Sequence, residues 1–256
     1  MTEAAARRGA ALVTGGSRRI GRAIVLTLAR AGWDVAVHHR DSESDAARAA
    51  EEARALGVRA AVIQADLADE AQARALVGRA VAALGPLSVL VNNASVFRDD
   101  RVGALDRAIW DAHIETNLRA PLVLAETFAA QAPDGSAIVN LLDQRVLKPD
   151  PRFVSYALSR NGLWWATRTL AQALAPRIRV NGVGPGPTLP SIHQTPAEFA
   201  AEAASTLLQR PIRPEAVAQA VLWLIDADHV TGQMIAVDGG QHLGWRTPDI
   251  QAGDPE

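Results

Sequence analysis

The chain has 256 residues, 21% of them charged, a net charge of −2 and no cysteine. That length and balance suit a globular α/β fold with an ample core, and they exclude disulfides, thiolate metal sites and a cysteine nucleophile. No basic stripe marks a nucleic-acid surface, no long apolar run marks a membrane span, and the first residues lack the apolar stretch of a secretory signal, so a cytoplasmic location is expected.

Short apolar runs at 10–14, 34–38, 58–64, 87–93, 136–142, 177–183 and 234–237 predict strands. Helical patterns fill the intervals at 20–31, 43–56, 70–84, 106–131, 154–175 and 214–225. Gly32, Gly57, Gly85 and Pro86 punctuate the junctions. Strand–helix alternation of this kind predicts an α/β fold: a doubly wound, Rossmann-type, parallel seven-stranded sheet with helices on both faces. One domain spanning residues 1–256 is expected. A loop at about 185–210, with a short helix at 196–207, breaks the rhythm and suits a substrate lid. A polar tail starts at about 247.

Thr14, Gly15, Gly16, Ser17, Arg18, Arg19, Ile20 and Gly21 follow the first predicted strand and open the first helix. Glycines there let the backbone approach a pyrophosphate, and a helix N-terminus supplies N–H groups and partial positive charge. The second predicted strand ends at His38, His39, Arg40 and Asp41. An arginine at this strand end favours the 2′-phosphate of NADP, where an acidic residue would favour NAD. Arg40 therefore predicts NADP(H), with Arg18 flanking the phosphate and His39 at the lip. An inward-pointing Asp41 would repel that phosphate. His38 and His39 have no third partner at ligand spacing, so no metal is predicted.

With these features in place, residues 9 to 245 resemble the short-chain dehydrogenase/reductase family. The family's Asn-Asn-Ala element appears as Asn92, Asn93 and Ala94, its adenine-contacting aspartate as Asp66 before Leu67, and its helix asparagine as Asn117. Its Tyr-x-x-x-Lys appears as Tyr156 with Arg160 in place of lysine, and its Pro-Gly-x-Thr as Pro185, Gly186 and Thr188. Three departures are similar to the pteridine reductases and the related dihydromonapterin and dihydrofolate reductases. Arg19 replaces a glycine, Asp143 replaces the usual serine, and Ser95, Val96 and Phe97 follow the Asn-Asn-Ala element.

The resemblance implies that Phe97 stacks a pterin against nicotinamide, with Ser95 and Arg19 nearby. Tyr156 then donates the proton that C=N reduction requires, helped by Asp143, and Asn117 holds a relaying water. Tyrosine's ordinary pKa is about 10, and a cation four residues on, Arg160, is expected to lower it. The resemblance also implies a homotetramer acting on a small molecule. Two alternatives stay open: a reductase of another ketone or imine, and a catalytically impaired cofactor-binding protein, because arginine replaces lysine. Trp164, Trp165 and Trp223 are expected in the core or at a subunit interface.

Overall fold

The computed structural model describes residues 8–191 and 194–245, and there the apolar runs become seven strands. They are β1 (Gly9–Val13), β2 (Trp33–His39), β3 (Ala60–Gln64), β4 (Leu87–Asn92), β5 (Ser136–Leu141), β6 (Ile178–Pro185) and β7 (Met234–Val237). All pairings are parallel, in the order β3-β2-β1-β4-β5-β6-β7. Strands covered on both faces need apolar side chains on both, and every residue of β2 and β5 is buried. The strand order reverses between β1 and β4, which opens a crevice beyond their carboxyl ends.

Helices α1 (Arg19–Arg30), α2 (Glu43–Ala55) and α8 (Pro214–Asp226) pack Ile24, Leu28, Ala49, Val221 and Leu224 into one face. Helices α3 (Glu70–Leu84), α5 (Ala120–Ala129) and α6 (Val154–Leu174) cover the other, where Leu76, Leu124 and Phe128 are buried. Asp69 caps α3 by accepting from the N–H groups of Ala71 and Gln72. Arg179, within β6, donates to the carbonyls of Leu224, Ile225 and Ala227 at the end of α8, where free carbonyls and the helix dipole favour a cation. Among the described residues, no helix is long and apolar enough to cross a membrane.

The structure redraws several expected elements. The helix expected at 106–131 is broken into α4 (Arg107–Ile114), a π-helical turn (Glu115–Arg119) and α5. β3 starts at Ala60 rather than at 58. β6 runs on to Pro185, and α7 (Pro196–Ala204) ends before 207. Trp165 and Trp223 are exposed on this chain, which removes the core reading for both. The tail from about 247 lies outside the described residues.

Candidate active site

The crevice has two connected lobes. The first, about 550 Å³, is lined by Gly15, Ser17, Arg18, Arg19, Ile20, Gly21, His39, Arg40, Asp66, Leu67, Asn93, Ala94 and Ser95. Its floor is the glycine loop. Gly15 has φ +60°, and its N–H donates to His38 Nδ1 at 2.9 Å. His38 is 2% exposed and its Nε2 donates to the Ala65 carbonyl at 3.1 Å. Burial pulls the His38 pKa down to about 4, so the ring is neutral and its Nδ1 remains an acceptor. A Cβ on Gly21 would lie 2.0 Å from the Gly15 carbonyl, so α1 approaches the loop only because that residue is glycine. Asn93 Nδ2 donates to the carbonyls of Thr14 and Gly15, and the Asn93 and Ala94 N–H groups donate to Thr14 Oγ1.

At the far end of this lobe Arg40 Nε donates to Asp41 Oδ2 at 2.6 Å. Asp41 is thus paired with the arginine rather than aimed inward alone. The Asp66 carboxylate accepts from the Ala68 N–H at 3.0 Å. His39 is buried, and its Nδ1 has no hydrogen-bond partner within the protein. A narrow glycine cradle, an arginine at the strand end and an unpartnered buried nitrogen fit a phosphorylated dinucleotide.

The second lobe, about 820 Å³, shares Arg19, Ile20, Asn93 and Ser95 with the first, and Phe97, Asp143, Tyr156, Arg160, Pro185, Gly186 and Thr188 also line it. α6 presents Tyr156, whose hydroxyl donates to Asp143 Oδ2 at 2.8 Å. Asp143 follows β5, and its Oδ1 accepts from the Arg145 N–H at 2.8 Å. Arg160 donates to the Leu141 carbonyl at 3.0 Å and lies 5.3 Å over the Tyr156 ring. Its Nε is buried without a partner. Ser95 Oγ donates to the Val96 carbonyl, and Thr188 Oγ1 to the Gly186 carbonyl.

The phenol does not behave as the Tyr-x-x-x-Arg spacing predicts. Burial and the Asp143 carboxylate push its pKa up to about 12, and Arg160 offsets only part of this. Tyr156 is therefore a neutral hydroxyl donor at physiological pH, not an incipient phenolate. Asn117 is fully buried, its Oδ1 accepts from the Val96 N–H, and its Nδ2 donates to the Val96 carbonyl and to Ser159, so its side-chain amide holds the backbone beside Phe97.

Phe97 lies 4.6 Å from Phe153 and 4.7 Å from Tyr156, ring centre to ring centre, which makes an aromatic wall beside the phenol. Arg145, mostly buried, covers Phe153 at 5.2 Å and Phe97 at 5.9 Å and faces Asp143, Asp150 and Glu202. Sequence reasoning singled out neither Arg145 nor Phe153. Their signal was position, since one follows Asp143 by two residues and the other sits at the N-terminal boundary of the tyrosine helix. Arg19 has φ +55°, and its guanidinium donates to the carbonyls of Leu189 and Pro190, tying the glycine loop to the segment that closes the second lobe. Gln241 also lines the second lobe.

A parallel sheet reversing at β1/β4, with its crevice at that point and a tyrosine–arginine helix turn facing it, defines a Rossmann-type protein of the dehydrogenase kind. Residues 15–242 match the family model described as enoyl-(acyl carrier protein) reductase. The crystal structure of FolM alternative dihydrofolate reductase 1 from Brucella canis, complexed with NADP, is 48% identical with a TM-score of 0.92, covering 96% of this chain and 98% of that one. The 3-oxoacyl-[acyl-carrier-protein] reductase FabG of Staphylococcus aureus is 34% identical over 91% of this chain and 98% of its own length. The angucycline C-6 ketoreductase LanV with bound NADP is 30% identical with a TM-score of 0.87, covering 93% of this chain and 99% of that one. The chain belongs to the short-chain dehydrogenase/reductase family.

Proposed function

We propose that this chain is an NADPH-dependent reductase that adds hydride to a C=N bond of a pterin or dihydrofolate-like ring, with Tyr156 as proton donor. The observation that carries this reading is the wall of Phe97 beside a tyrosine whose hydroxyl is bonded to a carboxylate, Asp143. A flat heteroaromatic ring needs an apolar face to stack on, and C=N reduction needs a proton at the nitrogen. The 48% identity to the Brucella canis protein supports the same reading.

NADP(H) is the cofactor of this oxidoreductase. Gly15, Ser17, Arg18, Arg19, Ile20 and Gly21 would hold its pyrophosphate, His39 and Arg40 its 2′-phosphate, and Asp66 and Leu67 its adenine. Asn93, Ala94, Ser95, Pro185, Gly186 and Thr188 would border the nicotinamide half. Bound NADPH supplies the hydride. The protein's own part is the proton. Tyr156 Oη releases it to the substrate nitrogen, and Arg160 across the ring stabilises the negative charge left on the phenol. In the structure Asp143 Oδ2 accepts that proton in a hydrogen bond, so the O–H turns from Asp143 toward the substrate nitrogen for the transfer. A homotetramer, pairing the helices of Asn117 and Tyr156, is proposed as the assembly.

The test is NADPH oxidation at neutral pH with dihydrobiopterin and dihydrofolate, beside simple ketones and NADH. Preferential turnover of the pterins with NADPH is expected. The similarity to FabG and to LanV favours carbonyl reduction as the second reading. Ketones turned over faster than pterins would establish that reading instead.

A further inference from the structure

Residues 93–99 carry Phe97 yet belong to no helix or strand, so something besides a backbone ladder must aim that ring. Two side chains of one helical stretch grip this segment on either side of Phe97. Asn117 bonds both the N–H and the C=O of Val96, at 2.8 Å each. His113 Nε2 accepts the Arg98 N–H at 3.1 Å. Four residues of helix rise about 6 Å, and two residues of extended chain span about 6.6 Å, so the spacing of the grips matches the spacing of the backbone groups they hold.

The histidine is built for this task. It is fully buried, its Nδ1 lies 2.7 Å from Ser155 Oγ, and its ring meets Tyr156 edge-on at 5.8 Å. Because Nε2 accepts from Arg98, Nδ1 carries the proton and donates to Ser155. Ser155 belongs to α6, one residue before Tyr156, and its own N–H donates to Asp100 Oδ2 at 2.9 Å. Asp100 comes from the same segment as Phe97, and its carbonyl accepts the Val154 N–H at 3.2 Å. The first N–H groups of the tyrosine helix, which otherwise lack partners, are thus satisfied by the Phe97 segment.

We infer that His113 is a positioning residue that sets the distance and tilt between Phe97 and Tyr156, through the Arg98 backbone on one side and Ser155 on the other. It lines neither lobe of the crevice. The inference rests on Phe97 being the substrate wall, but the grip itself is tested without any substrate.

The experiment is amide hydrogen exchange of the full chain with bound NADPH, read on peptides covering 95–106, in His113→Leu, His113→Gln and Ser155→Ala. His113→Leu removes both bonds, and exchange in this segment is expected to quicken at least about tenfold while the central strands keep their protection. His113→Gln keeps an acceptor for Arg98 and should restore part of it. Ser155→Ala, which leaves the ring in place, should show a smaller change in the same segment. In parallel, the KM of whichever substrate the panel identifies should rise about tenfold in His113→Leu, with the NADPH dissociation constant within about twofold of the parent. Unchanged exchange over 95–106 in His113→Leu overturns the inference whatever the kinetics, and so does a loss of protection spread evenly over the sheet. A failure of the pterin reading changes the substrate used and leaves the exchange result standing.

Discussion

Replacing Arg19 with glycine separates what this residue costs the fold from what it does for the site. Its backbone sits at φ +55°, a left-handed conformation that costs a non-glycine residue about 1 kcal/mol. Glycine removes that strain but adds about 0.5–1 kcal/mol of unfolded-chain entropy. The variant also loses the two bonds to the Leu189 and Pro190 carbonyls, 3.2 and 2.9 Å long, which at an exposed guanidinium contribute about 1 kcal/mol together. These opposing contributions leave the net change within about 1 kcal/mol of zero, a shift in Tm of about 2–4 °C for a chain of this size. The site loses more. The tie between the glycine loop and the closing segment is gone, and so is a cation shared by both lobes. KM for the substrate is expected to rise about tenfold, equivalent to about 1.4 kcal/mol. Thermal unfolding and steady-state kinetics on Arg19→Gly read the two effects separately. A fall in Tm of more than about 5 °C with KM unchanged would refute the reasoning, because it would make Arg19 a structural residue.

Tyr156→Phe removes the hydroxyl that donates to Asp143 and should lower kcat by about 10²–10⁴-fold, with NADPH titration giving an unchanged dissociation constant. Arg40→Ala should raise the KM for NADPH about tenfold without affecting that for NADH, whereas Asp41→Asn, by releasing Arg40 Nε, should lower the NADPH KM; equal effects on both cofactors would remove Arg40 from the 2′-phosphate. With the phenol at about 12 in the fold against about 10 unfolded, its contribution to stability is complete below pH 10 and lost as pH rises through 12, and the pH–rate profile should show no tyrosine limb below pH 10. His38 runs the other way: its pKa falls to about 4 from 6.5, so its contribution is present above pH 6.5 and lost as pH falls through 4, a change on the order of 3 kcal/mol. Denaturant unfolding between pH 7 and 4 should show an acid slope that is reduced in His38→Asn.

The sheet was legible because parallel strands covered on both faces must be apolar throughout, and runs such as Leu87 to Val91 have no other use. The glycine loop was legible because Gly15 holds a positive φ and a Cβ on Gly21 would collide with the Gly15 carbonyl. The break of the long helix into α4, a π-helical turn and α5 was not. One extra residue in a turn barely disturbs an apolar period, yet it helps set how His113 and Asn117 are presented to the Phe97 segment. The grip of Asn117 on the Val96 backbone was not legible either, because only the fold brings the two together. Arg145 and Phe153 come from a single 3₁₀ turn and a helix boundary that only the folded chain brings against Phe97, and no periodicity marks such positions.

The departures from the resembled family's pattern meet in the larger lobe: Arg19, Ser95, Phe97, Asp143 and Arg160 all line it, and Arg19 and Ser95 border the smaller lobe as well. The parts of the larger lobe act on one another. Asp143 and burial hold the proton on Tyr156, and a cation must oppose them for that proton to leave. Arg160 does so from across the ring, anchored through the Leu141 carbonyl, with a buried Nε unpartnered as the cost. A planar guanidinium can lie over the phenol while bonding backbone beneath it, which a single ammonium cannot do in the same place. We propose that Arg160 is matched to Asp143 in this way. On that account Arg160→Lys alone should lower kcat, and Arg160→Lys with Asp143→Ser should recover part of the loss.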